Sequence, residues 1–275
     1  MTVVCNTKKV TVFRGDKRYV KLCELFNCAG YDAAYTTNEK LSTVCNSDII
    51  IFPITAFDSE GNINGTDHTV YDLFSSIHSN SIIFAGKVPA VINKIAAEYK
   101  IKLYDYTVSE EFSQLNAIPS AEGAILTLLE KANNTISGSF FTVFGYGRIG
   151  KALATRLRLL GGNVKIGARS SVARAKASCD AMNSYTIENA ILNSKNVLAV
   201  FNTVPSPIIN ESNVQNIKNS IFIDLASIPG GVTDNAKKAL GENYIHALSL
   251  PGKHFPDTAG EIIFKTINSI LFEKG

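Results

Sequence analysis

A chain of 275 residues is long for one hydrophobic core and comfortable for two domains. With 45% hydrophobic and 19% charged residues it reads as a well-filled globular protein, and a formal charge of +3 with no lysine or arginine stripe gives nucleic acid no footing. No apolar run approaches the ~18 residues of a membrane span, and five scattered cysteines (Cys5, Cys23, Cys28, Cys45 and Cys179) form neither a zinc pattern nor a disulfide framework.

The opening stretch MTVVCNTKKVTVF lacks the long apolar core of a signal peptide, so a reducing cytoplasm is the expected compartment. KVTVF (9–13) predicts a strand and DKRYVKLCELFNCAG (16–30) a helix closed by glycine. DAAYTT and SDIIIFPI predict the next two strands, followed by a polar loop over 55–68. SIIFAG and IKLYDY predict two more strands with a helix from Val88 to Tyr99 between them. This first domain, residues 1–117, is expected to be a small five-stranded sheet of flavodoxin-like type flanked by helices.

PSAEGAILTLLEKA, from Pro119 to about Ala132, predicts a bridging helix with its proline in the first turn and Glu122 near a helix N-terminus. The alternation then resumes: SFFTVFG, NVKIGA, KNVLAVFN, SIFIDLA and YIHALSL are the strands of a second domain over 118–258. One last helix, within 259–275, is expected to pack back near the first domain. The fold class is therefore α/β with two domains, each built on a mostly parallel sheet, the C-terminal one of the Rossmann NAD(P)-binding type.

The second domain carries the strongest chemical signal. Its apolar strand runs into Gly145-x-Gly147-x-x-Gly150 and then a helix, the context a dinucleotide loop requires. Gly147 lets the backbone approach a pyrophosphate, and Arg148 and Ile149 start the helix whose N–H groups receive its charge. Where an NAD site places an acid for the ribose, this chain has Arg169, Ser170 and Ser171. An arginine pairs with a 2′-phosphate through two parallel bonds, so NADP is expected, with NAD as the alternative. Arg174, one turn into the following helix, is expected to close over the adenine or the phosphate. Asn202, Thr203, Val204 and Pro205 end the fourth strand and belong on the cofactor side, while Asp224 ends the fifth and reads as a buried structural acid.

Several stretches together resemble one family: RGDKR (14–18), IPSAEGAI (118–125), VFGYGRIGKALA (143–154), GARSS (167–171), NTVPS (202–206), DLASIPGG (224–231) and LPGKHFPDTAGEI (250–262). They are similar to the dipicolinate synthase A-subunit family, the dehydrogenase component of spore dipicolinate synthesis. One departure is Arg14, where the family commonly has a glycine. The resemblance implies NADP-dependent oxidation of dihydrodipicolinate or hydroxytetrahydrodipicolinate to dipicolinate, in the cytoplasm of the mother cell of a sporulating bacterium. It also implies a homo- or hetero-oligomer that includes a second, flavoprotein-like subunit.

Such a reaction asks the protein mainly to align a ring C–H and hold two carboxylates in a cleft between the domains. Candidate substrate contacts are Asp16 and Arg18 after the first strand, Thr55 after the third, Ser120 and Glu122 on the bridging helix, and Ser227. Arg18 and Lys253 are the preferred carboxylate anchors, with His254 as proton acceptor. Two other readings stay open on the same residues: a different NADP oxidoreductase acting on a hydroxy or keto acid, and a nucleotide-binding component without turnover.

Overall fold

A computed structural model describes residues 7–37 and 41–274. Cys5 lies outside the described residues; the cysteines within them are free thiols. The chain divides into two compact units, Met1–Asn116 with Phe255–Gly275, and Ala117–His254.

In the first unit the chain runs β1 (Lys9–Phe13), α1 (Lys17–Cys28), β2 (Asp32–Thr36), β3 (Ile49–Ile54), α2 (Val70–Ser76), β4 (Ile82–Gly86), α3 (Ala90–Glu98) and β5 (Lys102–Asp105). All neighbouring strands are parallel, in the order β2-β1-β3-β4-β5. A parallel sheet is covered on both faces, so its central strands read as near-continuous apolar runs, broken in β1 by Lys9 and Thr11. In β3, Ile49 and Ile51 enter one core with Val10, Val12, Leu22 and Phe26. Ile50 and Phe52 enter the other with Phe13, Leu73, Ile83 and Ile92. The strand order reverses between β1 and β3, which makes the loops following those two strands the crevice of this unit.

Two features differ from the expected pattern. The segment after the polar loop forms α2, a helix of seven residues closed by a capping box in which the Thr69 side chain accepts from the Asp72 amide and Asp72 accepts from Thr69. The loop itself is packed, with Ala56, Phe57 and Ile63 buried and Phe57 bridged to Ile63.

The bridging helix also begins earlier. It is α4 (Glu110–Lys131), with Pro119 inside it. Glu122 is therefore a mid-helix residue, and the acids at the N-terminal turn are Glu110 and Glu111. Because an interior proline removes a backbone bond and usually kinks or breaks a helix, Pro119 reads as a first-turn residue, and that reading puts the start too late.

The second unit follows with β6 (Phe140–Phe144), α5 (Arg148–Leu159), β7 (Asn163–Gly167), α6 (Ser171–Cys179), β8 (Asn183–Tyr185), α7 (Ile187–Leu192), β9 (Ala199–Asn202), β10 (Ile221–Asp224), α8 (Asp234–Leu240), β11 (Tyr244–His246) and α9 (Leu250–His254). Its sheet is parallel throughout in the order β11-β10-β9-β6-β7-β8, the doubly wound dinucleotide-binding order. The three-residue polar edge strand β8 was not expected. Phe141, Val143, Phe201 and Ile223 face α4 and α5 residues such as Leu128 and Leu153. Phe144, Val200 and Phe222 face Ile191 and Ala236 on the other side.

The chain ends in α10 (Pro256–Lys274), which packs on α1 within the first unit. Phe264 meets Phe26 edge-on at 4.9 Å, and Ile262, Ile263 and Ile267 are buried in the same core. Truncating the fully buried Phe26 to alanine costs roughly 3–5 kcal/mol by the usual scale for a core aromatic.

Candidate functional site

In the second unit the topological switch lies between β6 and β9, and the glycine loop leaves β6 there. Gly145 has φ +90, and a Cβ on it would fall 2.3 Å from the Thr203 hydroxyl. A Cβ on Gly150 would fall 2.2 Å from the Gly145 carbonyl oxygen, so this position is what lets α5 start against β6. Around Gly147 there is nothing within 4 Å of where a Cβ would be. Gly147 is also the N-cap of α5, and no side chain caps that helix, which leaves first-turn amides for an anion. These are the three roles a pyrophosphate loop demands: a tight turn, an open approach and close helix packing. The residues thus fit a bound dinucleotide.

Tyr146, between the first two glycines, is buried and donates to Asp180 Oδ2 at 2.8 Å. Lys151 Nζ reaches the same oxygen at 2.8 Å, so the loop and α5 are both tied to the end of α6. Burial and the adjacent carboxylate push the Tyr146 phenol well above its ordinary value, so it remains a donor. Sequence reading missed this brace, because a tyrosine at a variable loop position carries no signal.

At the end of β7, Arg169 is exposed and makes no ion pair with any described residue. Ser170 is the N-cap of α6, its hydroxyl accepting from the Ala173 amide at 3.4 Å, and Ser171 opens the helix. An anion beside Arg169 would therefore also lie at a helix N-terminus. Arg174 is turned back on the loop, with Nη1 donating to the carbonyls of Ala168 at 2.8 Å and Arg169 at 2.7 Å. Its guanidinium holds the loop's backbone.

The ends of β9 and β10 form one network. Asn202 Nδ2 donates to Asp224 Oδ1 at 2.8 Å, and its own Oδ1 accepts from the Val204 amide at 3.0 Å. Thr203 Oγ1 donates to the Phe144 carbonyl at 2.8 Å, beside the glycine loop. Asp224 is fully buried and also accepts from the amides of Ala226 and Gly231 and from the Tyr244 hydroxyl, at 3.1, 2.7 and 3.3 Å. A buried carboxylate with donors on both oxygens is a scaffold. It shapes the 225–231 loop, on which Ser227 is exposed and its carbonyl accepts from Gly230. Pro205 is exposed at the neighbouring strand end.

Helix α9 carries Lys253 and His254. Lys253 is exposed, whereas His254 is half-buried with its Nε2 enclosed. A Cβ on Gly123 would lie 3.6 Å from the His254 ring and 2.8 Å from Leu250 Cβ, so the glycine of the AEGAI stretch makes room for α9. Ser120 on α4 is buried, and Glu122 is ion-paired to Arg156 Nε at 3.0 Å.

The first unit's switch point has a different character. Asp16 caps α1 and holds Arg18 in a two-pronged pair, Nε to Oδ1 at 2.8 Å and Nη2 to Oδ2 at 2.7 Å. Burial raises the Asp16 carboxyl's pKa, but the bonds from Arg18 outweigh it and hold the group below the ordinary carboxylate value. Arg18 itself is buried, so one anion is already supplied from within the chain. Arg14 has φ +59, which explains why a glycine suits this position, and its guanidinium bonds the Gly65 carbonyl. Thr55, exposed at the end of β3, has φ +65, uncommon for any side chain and an outlier for a β-branched one. Beneath it, two buried tyrosines meet: Tyr19 Oη lies 2.9 Å from Tyr106 Oη and accepts from the Ile54 amide at 2.8 Å, while Tyr106 donates to the Phe52 carbonyl at 3.2 Å.

Among the described residues no cluster suited to a metal ion occurs, and no helix is long and apolar enough to cross a membrane.

Residues 9–107 match the family described as the N-terminal domain of the dipicolinate synthase A-subunit, and residues 135–226 match the acetohydroxy acid isomeroreductase NADPH-binding domain. The dipicolinate synthase A-subunit of Bacillus subtilis (strain 168) is 31% identical over 232 residues, which is 82% of this chain and 78% of that protein. The crystal structure of the same Bacillus subtilis component of dipicolinate synthase superposes with a TM-score of 0.82 at 28% identity, covering 97% of this chain and 96% of that one. That of its Bacillus halodurans counterpart has a TM-score of 0.83 at 22% identity, covering 96% and 97%.

Proposed function

The chain belongs to the dipicolinate synthase A-subunit family and is an NAD(P)-dependent oxidoreductase, and on that premise we propose that it oxidises a ring dicarboxylate to dipicolinate with NADP. The substrate in this reading is dihydrodipicolinate, or hydroxytetrahydrodipicolinate, which loses water as well as a hydride and a proton. Family membership carries the substrate half of the reading. The open approach at Gly147 and the exposed Arg169 support the cofactor half.

A nicotinamide held here supplies the acceptor for the hydride. Amides at the start of α5 take the pyrophosphate charge, and Arg169 with the α6 N-terminus takes the 2′-phosphate. Arg174 keeps the Arg169 loop in the shape that presents it. Arg18 and Lys253 are the carboxylate anchors, with Asp16, Thr55, Ser120, Glu122 and Ser227 as further substrate contacts. The His254 imidazole accepts the ring proton. Because the product is aromatic, the ring's own stabilisation supplies driving force, and the protein's contribution is alignment more than acid–base power.

The active assembly in this reading works in the mother-cell cytoplasm and includes a flavoprotein-like second subunit. The test is to incubate purified protein, with and without that flavoprotein, with freshly prepared hydroxytetrahydrodipicolinate and each nicotinamide cofactor. Pyridine absorbance should rise with NADP. Absence of product under every condition overturns the reading.

A further inference from the structure

The first unit's sheet ends in a pattern that the site residues named so far leave unexplained. Three adjacent strands, β1, β3 and β4, are each followed by a non-glycine residue in the left-handed region: Arg14 at φ +59, Thr55 at φ +65 and Lys87 at φ +49. A left-handed residue with a side chain is disfavoured by roughly 1–2 kcal/mol, and such strain gathers where a ligand is held. Here the disfavoured positions keep two cations and a hydroxyl at the C-terminal edge of a parallel sheet, where ligands of open α/β folds bind.

Thr55 and Lys87 are neighbours by register. Ile54 pairs with Gly86 across β3 and β4, and the Thr55 amide then donates to the Gly86 carbonyl at 3.1 Å. Each is fixed by its own brace. The Thr55 carbonyl accepts from Asn64 Nδ2 at 2.7 Å, and the Tyr19–Tyr106 pair holds the strand just before it. The Lys87 amide donates to Asp105 Oδ1 at 3.2 Å and Thr107 Oγ1 at 3.0 Å, while Asp105 Oδ2 takes the Val88 amide at 2.8 Å. So the Asp105 carboxylate is spent on backbone and on the Thr107 hydroxyl, and the Lys87 side chain is exposed with no ion pair to a described residue. Arg18 is tied to the same edge, because Tyr19, the next residue on α1, bonds the end of β3.

We infer that Lys87, together with the Thr55 hydroxyl turned from the Ile54 carbonyl to which it now donates, binds the second carboxylate of a ring dicarboxylate whose first carboxylate is held at Arg18. The inference rests on the dicarboxylate reading of the proposed function and replaces Lys253 with Lys87 as the partner of Arg18, because Arg18 and Lys87 belong to the same unit. A single arginine already paired with Asp16 serves one carboxylate. A second, unpaired cation after β4, two strands along from β1, lets the site reject monocarboxylates.

The experiment is equilibrium binding to the full chain, in the presence of NADP, of benzene-1,3-dicarboxylate and pyridine-2,6-dicarboxylate beside their monocarboxylate counterparts. Wild type is compared with Lys87→Gly, which adopts the left-handed backbone without strain, and with Lys87→Met, which keeps the side-chain bulk. Both variants should weaken both dicarboxylates by roughly ten- to a hundredfold, the range for a charge-assisted hydrogen bond, and change the monocarboxylates and NADP by less than about twofold. The inference is overturned if wild type binds neither dianion, if the variants bind as wild type does, or if mono- and dicarboxylates weaken equally. Its failure is distinct from that of the reaction. An enzyme that makes the pyridine product while Lys87→Gly binds normally loses the site and keeps the reaction. One that makes no product but holds the dianions through Lys87 loses the reaction and keeps the site.

Discussion

The two sheets present opposite solutions at the same topological place. At the switch point of the second unit the chain removes side chains: Gly145 turns at φ +90, Gly147 has nothing within 4 Å of where a Cβ would be, and Gly150 lies against the Gly145 carbonyl. In the first unit it retains side chains where glycine is the easier residue, at Arg14 and Thr55 beside the switch point and at Lys87 after the strand next to β3. A bared backbone recognises an anion through amides and a helix N-terminus, whatever else the ligand carries. A strained backbone that keeps its side chains recognises through charge and hydroxyl, and so discriminates among small ligands. On the proposed function, this contrast gives the dinucleotide to the second unit and the ring dicarboxylate to the first.

The strongest way to break this comparison is Gly147→Val. The empty space around a Cβ at this position means the fold accommodates the substitution, while the branched side chain fills the approach a pyrophosphate needs. NADP and NAD binding should both fall by more than about a hundredfold, with the melting temperature nearly unchanged. Calorimetric titration of each cofactor checks it; surviving affinity in the folded variant would place the phosphates elsewhere.

Next in size is Arg18→Ala. It removes a charge-assisted anchor and strands the Asp16 carboxylate, which also caps α1. The apparent substrate KM should rise by roughly ten- to a hundredfold, and NADP affinity should stay as in wild type. Because Asp16 keeps its capping bond to the residue 18 amide, α1 should survive, and circular dichroism alongside the kinetics separates lost anchoring from lost fold. An unchanged KM removes Arg18 from the substrate site.

Arg169→Ala sharpens the other half. NADP binding should weaken by ~1.5–3 kcal/mol and NAD binding should hardly move, since only NADP brings a phosphate to that position. Equal losses for the two cofactors would mean that Arg169 acts on something both share.

The same contrast explains what could be read from the sequence. The second unit was legible because its chemistry is enforced by backbone: the spacing Gly145, Gly147, Gly150 after an apolar strand admits few other uses. The missing acid at Arg169 was equally plain. Most strands of both sheets were visible as runs of β-branched and aromatic residues, since a parallel sheet buried on both faces leaves them unbroken. What escaped was short or braced by distant partners. The edge strand Asn183–Tyr185 is three polar residues, and α2 is seven residues behind a polar loop. Lys87 drew no notice because its conformation depends on Asp105, eighteen residues away, and Tyr146 because its partner is Asp180. Arg174 lay in view, but only the folded loop shows that its guanidinium faces the carbonyls of Ala168 and Arg169.

The smallest expected effect tests the strain argument itself. At φ +65 Thr55 carries roughly 1–2 kcal/mol of backbone penalty that glycine does not. Thr55→Gly also loosens the unfolded chain, which subtracts about 0.4–1 kcal/mol. The balance favours the folded variant by up to about 1.6 kcal/mol, so its denaturant midpoint should rise while its m-value stays the same. The lost hydroxyl should meanwhile raise the dicarboxylate Kd by roughly two- to tenfold, the range for one neutral hydrogen bond. Gain of stability with loss of binding is the signature of strain kept for a ligand. If Thr55→Gly were less stable than wild type, the left-handed turn would be held by the threonine side chain itself, and its conformation would be no evidence of a site. If it were more stable and bound the dicarboxylates unchanged, the first unit's retained side chains would serve packing at this strand, and the division of labour between the two switch points would rest on Arg18 and Lys87 alone.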